Sequence, residues 1–375
     1  MSQTKQFLRF PDPPSWIDRL IVSIDHLPGP DWLFYVVAVL AVWVVINAAL
    51  WIDGSMPIGT GAGIPGIFPP LVFYYLALYH HLTRYGSRSL ERFRPLIGKE
   101  DTEVSRIDHQ LTILPQWLGW LGVAMGLRFT PPYVLGDRLA FGNLVPQTPL
   151  PVVVALLTAG FVGATFFCLI ARSIRQLRTV HRLHAQATKL SLLNLEPTHA
   201  FAALTARTAI GVILVMPIGY LYFPAAASSP WILLAYVLMA ALALVIFLAP
   251  ILGMRDRLQQ EKARALKKTG DLLDMTLREV HRKVEQGNWE ELKGMETATA
   301  TLTREREMLE KVSIWPWNTA TIRGFATTLL LPIVLWIVTS LRPPNNSLGP
   351  TWPARILEWR SILAMGWLGG SARGR

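Results

Sequence analysis

WILLAYVLMAALALVIFLAPILG (231–253) runs directly into MRDRLQQEKARALKKTGDLLDMTLREVHRKVE (254–285). The first part holds no Asp, Glu, Lys or Arg, and it is long enough to cross a hydrocarbon core of ~30 Å at ~1.5 Å per helical residue. In the second, charged residues surround Leu266, Leu273 and Val280, which recur at seven with Leu277 and Val284 beside them. That is the period of one helix lying against another. Only Gly253 separates the two patterns, so the stretch predicts a helix that leaves a membrane and continues into water.

Charge-free stretches of similar length recur at 32–52, 66–83, 111–127, 151–171, 208–224 and 324–341. The second is trimmed at its start by GSMPIGTGAGIP (54–65), which is turn chemistry. Together with 231–253 they predict an all-α polytopic membrane protein with seven transmembrane helices. Composition agrees, with 51% hydrophobic residues, 16% charged residues and a mean hydropathy of +0.34. Barrel strands would instead alternate apolar and polar residues over ~10-residue segments, a pattern the sequence lacks.

The net charge of +11 would suit nucleic acid, but its distribution points to a bilayer. If the N-terminus lies in the cytosol and the C-terminus outside, only Arg128, Arg138, Arg342, Arg355, Arg360, Arg373 and Arg375 of the 36 Lys and Arg fall on the outer side. This is the positive-inside bias that orients membrane proteins. It places the chain in a plasma membrane or a bacterial inner membrane, with the bilayer and anionic lipids of the cytosolic face as partners and no nucleic acid. Arg172, Arg175, Arg178 and Arg182, along the exit of the fourth span, are the candidate lipid contacts.

The organisation that follows is a cytosolic segment 1–31, spans one to six within 32–253, a cytosolic hairpin 254–317, a seventh span 318–341 and an external tail 342–375. In the first segment, Trp16, Ile17, Leu20, Ile21 and Ile24 share one helical face, with Ser15 and Asp18 spaced to cap it. This predicts a helix lying in the membrane interface. The tail carries a similar candidate at 355–370. MSQTKQFLRFPDPPSW has charges and prolines ahead of any apolar run, so no cleavable signal peptide is expected. Residues 172–206 read as an extension of span four followed by a helix into span five, broken at Pro197.

After the QGNW break at 286–289, Met295, Leu302 and Leu309 recur at seven, which predicts an antiparallel return helix. It ends at Trp315-Pro316-Trp317, with Asn318 placed to cap the last span. The corner reads as an interfacial hinge, and in a sharper form as a coupling point between hairpin and span seven.

No span contains an acidic residue, which disfavours transport through a midplane carboxylate unless Asp53 lies deeper than the end of span one. Asn47, Gln116, Thr158, Thr165, Thr208, Thr327 and Thr328 are expected to bond between helices, with pore lining as the alternative. Gly122 and Gly126, with Ala155, Ala159, Gly160, Gly163 and Ala164, predict close packing of spans three and four. The lone Cys168 reads as a packing residue there.

His80, His81, His109, His181 and His184 cluster at the cytosolic span ends. A metal shared among them lacks an accompanying carboxylate set, so no metal and no cofactor is expected. Motifs for zinc hydrolysis, phosphate-loop binding and serine hydrolysis are missing. The sequence therefore points to a non-enzymatic membrane protein whose hairpin binds a helical partner or a second copy. A homo-oligomeric channel or passive transporter with a hairpin-coupled gate is the alternative.

Overall fold

Residues 230–285 form one unbroken helix of 56 residues in the computed structural model. The structure describes residues 13–61, 64–98, 100–135, 146, 148–186, 196–216, 230–286, 292–312 and 319–340. In chain order the helices are α1 (Trp16–Asp25), α2 (Asp31–Ile52), α3 (Phe68–Ile97), α4 (Asp101–Thr112), α5 (Gln116–Leu135), α6 (Pro149–Gln186), α7 (Glu196–Ile213), α8 (Pro230–Glu285), α9 (Leu292–Lys311) and α10 (Thr319–Ser340). A 3-10 turn at Ile64–Ile67 leads into α3. Among the described residues there is no strand, only a bridge between Pro14 and Pro115.

Two of these helices, Asp31–Ile52 and the part of α6 from Pro149 to Leu183, are by length and composition able to cross a membrane. Each charge-free stretch of the sequence overlaps a helix, but the helices overrun the stretches. α3 continues to Gly98, whose φ of +61° gives the left-handed cap that glycine adopts without strain. No single helix covers the expected third span, 111–127. Leu111 and Thr112 close α4, Pro115 is extended in the bridge to Pro14, and α5 starts only at Gln116. Pro197 stands in the first turn of α7, where its missing N–H is harmless.

α3 is the hub, packing against α2, α4, α6 and α7. Leu76, Tyr79, Leu82 and Phe93 of α3 are buried with Ile17, Leu169, Phe201 and Leu204 from its neighbours. A second cluster joins α7 and α8 through Ala209, Val212, Ile213, Ala243 and Phe247, on which Phe325 of α10 stacks at 4.0 Å between ring centroids. Residues up to Pro332 form one compact unit, and Ile333–Arg375 form a second, described only as the last turns of α10.

α5 and α6 pack as closely as their small residues predict. A Cβ on Gly126 would come within 2.5 Å of Ala164 N and 2.7 Å of Gly160 O, and one on Gly122 within 2.6 Å of Cys168 Sγ. Only glycine lets the two backbones meet there. Cys168 is fully buried in this contact.

α1 has the expected capping box between Ser15 and Asp18. Its apolar face has a different destination from the one predicted. Ile17, Ile21 and Ile24 are buried in the α3 core, and Trp16 donates from Nε1 to Gly119 O at 3.0 Å. Ser15 N donates to Leu114 O and Gln116 N to Pro13 O, which ties the helix to the α4–α5 junction. The face is thus covered by protein, and an amphipathic pattern alone does not distinguish that from lipid.

Candidate functional site

Three faces of α3 carry three separate polar clusters near one end of the bundle. Tyr79 and Thr83, one turn apart, meet α1 and α6. His80 and Arg84, also one turn apart, meet the α1–α2 turn. His81, Tyr85 and Arg88 lie on the face toward α7.

On the first face the buried Asp18 carboxylate collects four donors. Its Oδ2 accepts from Ser15 Oγ at 2.6 Å, Ser15 N at 3.2 Å and Leu114 N at 3.0 Å, and its Oδ1 accepts from Tyr79 Oη at 2.7 Å. Arg172 of α6 lies over the Tyr79 ring, 4.1 Å from its centroid, and donates from Nη1 to Tyr79 O at 3.3 Å and to Thr83 Oγ1. Burial pushes the Asp18 carboxyl up, while Arg172 and the donors pull the other way. Arg172 is 2% exposed, yet its Nε and Nη2 have no hydrogen-bond partner among the described residues, and neither have the two polar atoms of the buried Gln176 one turn on.

On the second face His80 is buried, bonded through Nδ1 to Tyr35 Oη at 3.0 Å, with Nε2 2.9 Å from Asp25 Oδ1. That second contact has ion-pair distance but lacks hydrogen-bond alignment. The turn between α1 and α2, with Gly29 at φ +109°, brings Asp25 and Asp31 to either side of Arg84, which bonds both. Asp25, Asp31 and His80 are the one group of His, Cys, Asp or Glu ligand atoms that converges among the described residues, all within 4.8 Å of one another. Arg84 bonds both carboxylates and offsets one of their two negative charges, so the cluster is a charge knot joining α1, α2 and α3.

Among the described residues the predicted histidines do not converge. His80 and His81 point to different faces of α3, His109 is buried on α4, and His181 is exposed on α6. The His184 side chain and the corner Trp315, Pro316, Trp317, Asn318 lie outside the described residues, as does the tail candidate 355–370. Arg172, read as a lipid contact, is instead buried, and Arg175 donates from Nε to Gln110 O at 3.1 Å. Arg178 and Arg182 do point outward.

Four hydroxyls of the charge-free stretches, and the Asn47 amide in one of its contacts, close on their own helices. Thr158, Thr165, Thr208 and Thr328 each donate to a carbonyl four residues back, and Asn47 Nδ2 donates to Trp43 O. The expected bonds between helices are not what these hydroxyls make. Asp53, at the end of α2, accepts from Thr148 N at 2.6 Å and so holds the start of α6.

The α8–α9 pair is antiparallel. Lys262 Nζ reaches Glu310 O at 2.7 Å and Val312 O at 2.9 Å, which satisfies carbonyls at the end of α9. Thr269 and Leu309 are buried in the seam, Leu258 is buried in the core cluster beside α6, and Leu266, Leu273, Val280, Met295 and Leu302 are half-buried. Leu277 at 37% exposure and Val284 at 42% stay outside it.

Compared with family models, curated proteins and solved structures, the chain gives no match.

The sequence signal for the Asp18 and Asp25 clusters is faint. The two aspartates stand seven apart on one side of α1, beside the isoleucines. A carboxylate bordering an apolar face is the kind of residue that finds a buried partner.

Proposed function

We propose that the chain is a multi-pass protein of a plasma or bacterial inner membrane, spanning it seven times with its N-terminus in the cytosol. In this reading the cytosolic hairpin α8–α9 is a non-enzymatic association module that pairs with a second copy of the chain. The observation that carries the association reading is the apolar ladder that α9 leaves uncovered. Leu277 and Val284 are exposed seven residues apart on α8, with Leu272 and Met275 nearby and Met308 exposed on α9. Full burial of such a side chain contributes roughly 1.5–3 kcal/mol, so a second hairpin laid along the ladder would be held by a few of them. The mixed charges on either side suit helix pairing in a fixed register.

The membrane reading is supported by apolar side chains that face outward on several helices at once. They include Val37, Leu40, Val44 and Val45 on α2, Trp117, Trp120 and Leu121 on α5, Leu157 on α6, and Val237, Leu238 and Val245 on α8. Water would make such patches costly, and a lipid surround accounts for all of them together. The charge asymmetry of the loops supports the orientation. Against the channel alternative stand the hydroxyls bonded within their own helices and the backbone contact of α5 with α6.

Disulfide crosslinking in native membranes tests the association. Cys168 is buried, so Val284→Cys provides a single accessible thiol. Mild oxidation should link two copies through the new residue. Failure to link, with the protein intact and inserted, counts against self-association.

A further inference from the structure

The third face of α3 differs from the other two in its charge balance. Arg84 bonds two carboxylates and Arg94 bonds Asp101. Arg88, between them on the same helix, has no ion-pair or hydrogen-bond partner among the described residues. Arg207 of α7 is held without any carboxylate. Its guanidinium lies 3.9 Å from the centroid of the Tyr85 ring, and its Nη1 donates to His81 Nε2 at 3.1 Å. His81 stacks on Tyr85, with ring centroids 6.1 Å apart.

A guanidinium has only donors, so His81 Nε2 must accept, and the imidazole is neutral with its proton on Nδ1. The face therefore presents two positive charges, Arg88 and Arg207, that no acid among the described residues pairs with.

This arrangement is rigid. α7 is fixed against α3 on both sides of Arg207: Tyr74 Oη donates to Gly211 O at 2.6 Å, and Ser89 Oγ donates to Ala200 O at 3.2 Å. At Gly211 the helices are so close that a Cβ would lie 2.5 Å from a Leu78 methyl. Stacking on Tyr85 leaves Arg207 with free N–H groups in a fixed plane, the geometry that pairs with two oxygens of a phosphate.

We infer that His81, Tyr85, Arg88 and Arg207 form a binding site for the phosphate of an anionic phospholipid headgroup. The assignment rests on the membrane reading above, and height is what favours a lipid over a free phosphate. His81 stands near the end of the charge-free stretch 66–83, and Arg207 immediately precedes 208–224. Both therefore lie where headgroup phosphates meet the cytosolic ends of the spans.

The test uses full-length protein purified in a neutral detergent, then titrated with phosphatidylglycerol, with phosphatidylcholine or with inorganic phosphate. Thermal stability and lipid retained in native mass spectra are the readouts. Phosphatidylglycerol should be retained in preference to phosphatidylcholine, and inorganic phosphate should give little shift. Arg88→Gln, which breaks no hydrogen bond or ion pair among the described residues, should weaken that preference about fivefold, the worth of one basic residue at an anionic surface. Arg207→Gln should weaken it at least as much. Arg178→Gln with Arg182→Gln, on exposed residues of α6, should leave it unchanged.

Equal loss in the α6 pair, or none in Arg88→Gln, would overturn the site. An inorganic phosphate shift as large as that of phosphatidylglycerol would overturn the lipid assignment. A chain that failed to partition into membranes would instead refute the membrane reading, so the two failures are separable.

Discussion

Arg172 lies over the ring of Tyr79, and the hydroxyl of Tyr79 donates to Asp18, so one tyrosine joins a buried cation to a buried anion. Breaking one member of such a pair leaves the other charge uncompensated, at a cost of about 3–5 kcal/mol, whereas removing both costs less than the sum. Thermal unfolding in detergent should show Asp18→Asn and Arg172→Gln each strongly destabilised and the double variant less than additive. Additive losses would mean that the two charges do not interact through Tyr79.

Burial also raises the carboxyl of Asp108 on α4, whose Oδ1 has no hydrogen-bond partner among the described residues. A group whose pKa is higher folded than unfolded binds its proton more readily in the folded state. Its contribution is full below the unfolded pKa and is lost as pH rises through the folded one. Asp108→Asn should therefore be neutral or stabilising at pH 7 and should reduce the gain in stability seen as pH falls from neutral toward the ordinary carboxylate range. Melting curves across that window check it, and an unchanged slope would show that Asp108 ionises as freely folded as unfolded.

Two glycines in helices should respond in opposite ways to alanine. At Gly126 the new methyl meets the backbone of α6, so Gly126→Ala should cost about 1–3 kcal/mol through overpacking. At Gly270 nothing lies within 4 Å, and the substitution should stabilise α8 by about 0.5–1 kcal/mol. The same melting assay reads both.

Reporter fusions check the orientation. Fusions after Arg94, Gln186 and Gln286 should read cytosolic, and those after Gly63, Asn143 and Ser347 external. An external reading at Gln286 would remove the hairpin from the cytosol and, with it, the positive-inside orientation.

Much of the helical order is legible in the residues, and the exceptions have physical causes. α8 was readable because a charge-free run adjoins a heptad pattern, and Pro250 and Gly253 at their junction do not end the helix. The start of α5 was not, because Leu111 to Pro115 carry no charge whether they cross a membrane or turn a corner. The isoleucines of α1 fit lipid and protein equally well. Asp18 reaches Tyr79 across 61 residues, and Arg84 reaches Asp25 across 59, distances over which sequence spacing carries no signal. His81 and Arg88 were visible as residues, but Arg207, which completes their face, comes from a helix more than a hundred positions on.

The mass of the full-length protein in detergent tests the proposed association most directly, by light scattering on native protein and on a Leu277→Lys, Val284→Lys variant. Both residues lie outside the α8–α9 seam, so the variant should keep its helical content. The native protein should run as a dimer or larger and the variant as a monomer. A native monomer, or a variant that assembles as the native protein does, would contradict the role assigned to the hairpin.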